Sequence, residues 1–294
     1  MHYKIGTRGS RLALAQTELV RSRLAAVYPM DTFEPYIVKT QGDRMADRPL
    51  SELGGKGLFV SELERLLLEG EIQLAVHSLK DVPVELPPGL VLAKTWRRED
   101  ARDVLLLREA GSLEQLPQNA CIGTGSSRRA CQLLQLRPDI QIVNIRGNVD
   151  TRIRRMQEIP LDGLVLAAAG LLRLGREKEI TEYFSPEQMI PAPAQGALAI
   201  ELSGTDGELL EKLNALSDEG TEELVRAERL FQKAAGGDCR LPVAAYAQRP
   251  ASGEIALYAL LGDESGEHTK RTFQRGATPE LVAAAAMRAL REGA

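Results

Sequence analysis

The spacing of hydrophobic residues separates an alternating part of the chain from a different final third. Up to about residue 170, short apolar segments typical of strands alternate with segments whose apolar residues lie three or four positions apart, as on one helix face. The predicted strands cover residues 3–7, 36–39, 74–76, 91–93, 104–107, 121–123, 140–145 and 164–169. The predicted helices run from an N-cap at Ser10 to about residue 27, over 59–68 before Gly70, and over 126–136 before Pro138. This alternation predicts an α/β architecture with a mostly parallel sheet, in which ligands bind at the carboxyl ends of strands.

The final third has a different order of elements. A helix is predicted over 222–235, followed by strands over 243–247, 255–261 and 269–274 and an alanine-rich helix over 281–291. This order predicts a small α+β domain of its own. One earlier stretch, residues 42–57, is polar and glycine-rich and shows neither the apolar pattern of a strand nor that of a helix. Its composition is compatible with a functional flap and equally with a disordered surface loop.

Composition narrows the class of protein. The chain has 294 residues, which suggests two or three domains, and its 44% hydrophobic and 27% charged residues are globular proportions. A net charge of −4 and only 4% aromatic residues argue against nucleic-acid binding. No apolar run approaches the roughly 18–20 residues of a membrane span, and the first residues do not resemble an export signal, so we expect a cytoplasmic protein. The three cysteines have no metal-binding spacing and do not indicate a disulfide framework.

Arginine is concentrated between residues 121 and 157. Arg128 and Arg129 follow a predicted strand at the start of a helix, where backbone N–H groups favour anions, and Arg146 follows the next strand. Because guanidinium groups bind carboxylates in a fork, these three residues favour a polycarboxylate site. For Arg154 and Arg155 we favour ordinary surface charge. Arg8, between the first strand and helix, is a similar but weaker signal.

Asp81 lies in the run HSLKDVP (77–83), directly after a predicted strand. A carboxylate beside Lys80 could stabilise a cation or move a proton. Aspartate before proline is also common in turns, and the local pattern by itself favours that interpretation. His77 is interpreted as a packed or hydrogen-bonded histidine.

Cys239 follows two glycines and Asp238 at the beginning of the predicted final domain. Glycines nearby leave the sulfur sterically open, as covalent chemistry requires. Spacing alone leaves a covalent role and a structural role equally open. Cys121 and Cys131 are interpreted as small buried hydrophobic residues.

Eight segments, taken in order, resemble the porphobilinogen deaminase family. They are GTRGSRLALAQ (6–16), GGKGLF (54–59), HSLKDVP (77–83), GTGSSRR (123–129), RGNVDTR (146–152), AAGLLRLG (168–175), PAPAQGA (191–197) and GGDCRLP (236–242). The resemblance extends over roughly residues 3–247. Any one of these motifs would be weak, but their number and order are specific.

The resemblance implies a fold and a domain organisation. We expect two α/β lobes similar to those of periplasmic binding proteins, with the active site in the cleft between them, plus a small α+β C-terminal domain. Domain 1 would comprise residues 1–98 and 196–216, domain 2 residues 99–195, and domain 3 residues 217–294. Residues 42–57 would form the family's mobile active-site loop.

The resemblance also implies an activity. Members condense four porphobilinogen molecules on a dipyrromethane cofactor held by a cysteine thioether, and release hydroxymethylbilane and ammonia. Cys239 matches the attachment site and Asp81 the catalytic aspartate, which reverses the interpretation of Asp81 as a turn residue. The cofactor and substrate site would comprise Arg8, Ser10, Lys56, Lys80, Ser126, Arg128, Arg129, Arg146, Arg152, Arg173 and Gln195. By resemblance we expect a monomer without metal, whose product passes to uroporphyrinogen III synthase.

One departure and two alternatives accompany this interpretation. Many members have two glycines directly before the cysteine, whereas Asp238 intervenes here, and its charge could raise the thiol pKa and slow attachment. A non-catalytic anion-binding protein with the same lobes, or a relative that has lost activity, would share much of the pattern. The absence of an export signal, the third domain with Cys239 and Asp81 in its motif argue against the first alternative, whereas only an assay distinguishes the second.

Overall fold

A computed structural model describes residues 1–38, 61–109, 111–236, 241–263 and 268–292. Two compact units divide the chain: Met1–Arg98 with Ala197–Glu222, and Glu99–Gly196 with Glu223–Ala294. The strands are β1 His2–Arg8, β2 Thr32–Val38, β3 Leu74–Ser78, β4 Leu90–Leu92, β5 Asp103–Leu107, β6 Cys121–Gly123, β7 Gln141–Val143, β8 Gly163–Ala167, β9 Glu182–Tyr183, β10 Leu198–Ser203, β11 Val243–Gln248, β12 Ile255–Gly262 and β13 Thr269–Gly276. The α-helices are α1 Arg11–Val27, α2 Ser61–Leu68, α3 Ser127–Leu136, α4 Val149–Glu158, α5 Ala168–Arg173, α6 Gly207–Asn214, α7 Glu219–Ala234 and α8 Pro279–Glu292.

The first unit is built on a five-stranded sheet in the order β2-β1-β3-β10-β4. β1 pairs in parallel with β2 and β3, whereas β10 is antiparallel to both β3 and β4. Four strands therefore run in one direction and β10 runs against them. Side chains of β3 alternate between two clusters: Leu74 packs with α1 and α6, and Ala75 packs with α2. The sheet is thus covered on both faces.

The second unit contains an equivalent sheet in the order β7-β6-β8-β5-β9. Here β5 is the strand that runs against the others, antiparallel to β8 and β9. Leu106 and Leu166 pack with helices α4 and α5, while Leu105 and Val165 pack with α3 on the opposite face. The two sheets therefore share one topology, and in each the reversed strand lies between the third and fourth strands of the common direction.

The C-terminal part of the second unit is a three-stranded antiparallel sheet, β11-β12-β13, packed against α7 and α8. It contacts the preceding part of the same unit directly. The backbone N–H of Ala245 donates to the carbonyl of Pro191 at 3.0 Å, and Ala244 and Leu260 pack with Cys131 and Ile190.

The predicted fold class is confirmed: mixed α/β sheets precede a separate small α+β domain. The N-cap of α1 at Ser10 and the end of α2 before Gly70 are as predicted, with Gly70 in the left-handed conformation at φ +74°. Helices α4, α5 and α6 and strands β9 and β10 were not predicted. The apolar run 164–169 predicts one strand, but β8 ends at Ala167 and a helix begins at the next residue. In the part of the chain that the structure describes, no helix is long and apolar enough to cross a membrane.

Candidate active site

Asp81 lies at the end of a short 3₁₀ turn, Leu79–Asp81, that follows β3 directly. The turn is fixed by backbone hydrogen bonds from Leu79 to the carbonyl of Ala197 at 3.1 Å and from Val82 to Leu79 at 3.1 Å. Lys80 is half-buried, whereas Asp81 is exposed. A rigid strand end therefore presents the Asp81 carboxylate to solvent, where a ligand can reach it.

Strand β3 is anchored to its neighbours by polar side chains just before this turn. His77 is buried, and its Nε2 lies 3.1 Å from Oε2 of the fully buried Glu201 on β10. Ser78 accepts a hydrogen bond from Gln16 Nε2 at 2.9 Å. His77 is thus a hydrogen-bonded core residue, as the sequence analysis indicated.

Arg8 and Ser10 lie at the junction of β1 and α1 in the same unit. The Ser10 hydroxyl accepts a hydrogen bond from the backbone N–H of Ala13 at 3.2 Å and so caps the helix. Arg8 is half-buried at the end of β1. The predicted pairing of a basic residue with a helix N-terminus is therefore present.

The second unit holds Arg128, Arg129 and Gln195 around one carboxylate, Asp103. Arg128 Nη1 lies 2.6 Å from Asp103 Oδ2, and Arg129 Nε and Gln195 Nε2 lie 2.9 and 3.0 Å from Oδ1. All four side chains are buried, and we call them the buried basic cluster. Burial by itself would raise the pKa of Asp103, but the charges of Arg128 and Arg129 outweigh it and hold the pKa well below its usual range.

Charge and further hydrogen bonds define what this cluster can do. Arg128 also donates to the carbonyl of Ile190 at 2.8 Å, and Arg129 to that of Val165 at 3.1 Å, which fixes both guanidinium groups. Two cations and one anion leave an excess of one positive charge in a low-dielectric environment. Such an excess favours an acidic ligand.

The remaining predicted basic residues of this unit lie near glycine turns. Arg152 Nε donates to the carbonyl of Gly147 at 2.7 Å, and Arg146, directly before that glycine, is half-buried. Arg173 Nη2 donates to the carbonyl of Gly196 at 2.5 Å. Burial lowers the pKa of the Arg173 guanidinium to about 10, although the charge of Glu99 opposes this shift. Arg173 therefore remains a cation at neutral pH, and an acidic ligand would stabilise its charge.

Three other predicted positions differ in how much the structure says of them. Ser126 is the half-buried N-cap residue of α3, and its side chain makes no capping hydrogen bond. Cys239 and Lys56, together with the stretch 42–57, lie outside the described residues. Arg154, interpreted as surface charge, is exposed and pairs with Glu158 at 3.3 Å.

Two buried acids of the second unit are not among the residues that the sequence pattern singles out. Asp103 begins an otherwise apolar strand, and Glu228 occupies a position on the apolar face of α7, four residues after Leu224 and three before Phe231. An acid within an apolar pattern is the signal that could have identified both. Such a residue is retained in a core only with strong partners.

Comparisons with known proteins cover both units. The family model described as "Porphobilinogen deaminase, dipyromethane cofactor binding domain" matches residues 3–211, and "Porphobilinogen deaminase, C-terminal domain" matches residues 223–290. The chain is 53% identical over 292 residues to the porphobilinogen deaminase of Lachnospira eligens, covering 99% of both chains. It is 48% identical over 268 residues to that of Clostridioides difficile, covering 91% of this chain and 89% of the relative.

Solved structures of binding proteins are more distant. The methionine binding protein MetQ matches with a TM-score of 0.45 at 13% identity, covering 80% of this chain and 94% of that chain. The periplasmic VFT2 domain of Bordetella pertussis BvgS matches with a TM-score of 0.44 at 15% identity, covering 73% and 86%. Both family models and these close relatives agree with the motifs in the sequence, and the chain belongs to the porphobilinogen deaminase family.

Proposed function

We propose that this enzyme condenses four porphobilinogen molecules head to tail on a dipyrromethane attached to Cys239, and that it releases hydroxymethylbilane and ammonia. The buried basic cluster carries the proposal. It supplies fixed, charged donors within the segment that the family's cofactor-binding domain covers. These donors suit a substrate whose every pyrrole ring bears an acetate and a propionate.

The residues of the second unit fit the dipyrromethane. Two pyrrole rings bring four carboxylates, and the buried Arg128 and Arg129 and the half-buried Arg173 are cations able to bind them. When bound, the group supplies a covalent primer that keeps the growing chain in place through successive condensations. In this proposal Gln195 holds Asp103 between the two arginines, the Ser126 hydroxyl adds a hydrogen-bond donor, and Arg146 and Arg152 bind further carboxylates as the chain grows.

Asp81 is the proposed catalytic residue. When ammonia leaves porphobilinogen, positive charge spreads onto the pyrrole nitrogen of the substrate. The Asp81 carboxylate would accept a hydrogen bond from that N–H and stabilise the cation. Since Asp81 is exposed, the arriving substrate itself would displace water from the carboxylate and strengthen the interaction.

In the first unit, Arg8, Lys80 and Lys56 would hold the carboxylates of the incoming porphobilinogen. Arg8 is the last residue of β1, and Lys80 follows the end of β3. These two strands belong to the same sheet and pair in parallel. Carboxyl ends of parallel neighbours lie at one edge of a sheet, so both cations are placed on the side where Asp81 lies. Ser10 would add the N-terminus of α1 to this anion-binding edge.

We further propose that the enzyme acts as a cytoplasmic monomer and passes its product to uroporphyrinogen III synthase. The chemistry of the product supports a following enzyme. A hydroxymethyl group on a pyrrole can lose water to form the same kind of electrophile that porphobilinogen forms by losing ammonia. Released hydroxymethylbilane would therefore close on itself unless a partner enzyme directs the ring closure.

The proposal is tested by the intact mass of the purified protein and a peptide map of the segment containing Cys239. We expect a mass excess of one dipyrromethane, located on Cys239. A Cys239 that stays unmodified after porphobilinogen is supplied would instead indicate a binding protein or an inactive relative.

For Asp81 we expect Asp81→Asn to fold and to carry the same mass excess, with kcat about 10²–10³-fold lower, because the amide cannot stabilise the cation as a carboxylate does. Steady-state turnover of porphobilinogen provides the measurement. Glu71→Gln, which neutralises an exposed acid of the same unit, is the control and should match wild type. Near-normal turnover by Asp81→Asn would remove Asp81 from the catalytic role.

A further inference from the structure

The segment Ala194–Gly196 has an unusual backbone. Ala194 has φ +61° and Gly196 has φ +89°, both in the left-handed region. At Gly196 a Cβ would lie 2.4 Å from the carbonyl oxygen of Glu99, so only glycine fits there. Ala194 carries a Cβ in this region, and such a conformation persists only where the surroundings hold it in place.

Glu228 on α7 holds this segment. Its side chain is fully buried, its Oε2 accepts a hydrogen bond from the backbone N–H of Ala194 at 2.7 Å, and its Oε1 accepts one from Ala247 at 2.8 Å. Hydrogen bonds to a carboxylate are short and strong. One side chain of the C-terminal part thus joins strand β11 to the segment before Gly196.

The residue between the two left-handed positions is Gln195. Its side chain is buried and donates to the carbonyl of Ala101 at 2.7 Å and to Asp103 Oδ1 at 3.0 Å. A rotation of the backbone at Ala194 would move Gln195 away from Asp103. The carboxylate would then lose one of the donors that fix it between Arg128 and Arg129.

We propose that Glu228 is a positioning residue for the buried basic cluster. By holding Ala194 in the left-handed conformation, it sets Gln195 against Asp103 and so keeps Arg128 and Arg129 in place for the carboxylates of the cofactor and substrate. This inference rests on the proposed function of the cluster. Helix α7 ends five residues before Cys239, so the helix that leads to the predicted attachment site also orders the cluster.

A double-mutant cycle between Glu228 and Ala194 tests this role. Glu228→Gln keeps the size of the side chain but removes the charge and one acceptor. Ala194→Gly removes the steric cost of the left-handed conformation, so that this conformation no longer depends on the Glu228 carboxylate. We expect Glu228→Gln to raise KM for porphobilinogen roughly tenfold and to slow acquisition of the dipyrromethane by apo-protein.

Rescue distinguishes positioning from general stability. In Glu228→Gln with Ala194→Gly, KM and the rate of cofactor acquisition, measured by intact mass, should return to within about threefold of wild type, whereas the two effects of independent sites would simply add. Glu223→Gln neutralises a half-buried acid of the same helix, which pairs with Arg249 and not with Ala194, and its KM and loading should match wild type. If Glu228→Gln does not fold, Glu228→Asp, which retains the charge on a shorter side chain, replaces it in the cycle.

Two results would overturn the inference while the proposed function stands: a Glu228→Gln enzyme with unchanged KM and loading, or a raised KM that Ala194→Gly does not reverse. Failure of wild-type protein to acquire the cofactor would contradict the proposed function instead. In that case the same cycle, measured as the free energy of unfolding of apo-protein, still decides whether Glu228 and Ala194 are coupled.

Discussion

At the residue scale, Asp103 is the position of the described site on which stability depends most, because its single buried carboxylate pairs with two guanidinium groups. We expect Asp103→Asn to lower the free energy of unfolding by about 3–5 kcal/mol, since it leaves two buried cations without a counter-charge. Urea denaturation at pH 7 measures this loss. Asp139→Asn, which breaks a more exposed pair with Arg137, is the matched control and should lower the free energy of unfolding far less.

The pKa of Asp103 also predicts how this contribution depends on pH. Because the folded-state pKa is depressed, the stabilisation is fully present above the unfolded pKa of about 3.9, declines below that pH, and is lost once the pH has fallen through the lower folded value. The difference between Asp103→Asn and wild type should therefore be unchanged from pH 7 to pH 5. A difference that disappears by pH 5 would contradict the depressed pKa.

The arginines of this cluster could be predicted from the sequence, but their partner could not. Arg128 and Arg129 stand out because they follow a strand at a helix start. Asp103 is 25 residues earlier in the chain and meets them only because β5 and α3 pack on one another. Local pattern places charged residues at strand ends, but it does not pair charges from different elements. For the same reason the sequence does not indicate the hydrogen bond between Ala194 and the Glu228 side chain, which lie 34 residues apart in the chain.

At the element scale, Ser10 has a capping role that can be separated from its proposed ligand role. Ser10→Ala should lower the free energy of unfolding by about 1 kcal/mol, because the N–H of Ala13 loses its acceptor. Ser10→Asp should restore stability, because aspartate caps well and its charge suits a helix N-terminus. It should nevertheless raise KM for porphobilinogen by placing a negative charge close to Arg8. Urea denaturation and steady-state kinetics give the two readouts, and an unchanged KM in Ser10→Asp would argue against an anion-binding edge at β1 and α1.

The elements with clear spacing were predicted, and those that failed did so for identifiable reasons. Helix α4 buries only a narrow stripe at Ile153 and Met156, so its apolar period is weak. Strand β10 contains the buried Glu201, and this charged residue interrupts the apolar pattern by which the strand could be predicted. At Ala167 a continuous apolar run changes from strand to helix, and hydrophobicity alone does not mark that point.

At the scale of the whole molecule, the shared topology of the two five-stranded sheets depends on pairings between distant residues. Strand β10 lies between β3 and β4 although more than 100 residues separate it from both in the chain. No local spacing encodes such a pairing. The sequence does contain the polar motifs that follow individual strands. The fold then brings the motifs of one sheet to a common edge.

The C-terminal sheet is coupled to the α/β part of its own unit through Leu260, and this coupling predicts a long-range effect on stability. Leu260 is fully buried and packs with Cys131 on α3, and α3 in turn packs on β5 and β8 through Leu133. Leu260→Ala should therefore cost about 2–5 kcal/mol and accelerate hydrogen exchange at Leu105 and Val165 as well as in β11–β13.

Leu281→Ala removes an exposed leucine of α8 and is the control, with no expected change in exchange at either sheet. Faster exchange confined to β11–β13 in Leu260→Ala would mean that the C-terminal sheet opens by itself, and the packing at Cys131 and Ile190 would then carry little free energy. Faster exchange in both sheets would mean that they open together. In that case the helix leading to Cys239 and the buried basic cluster belong to one cooperative unit, which is the condition that a positioning role for Glu228 requires.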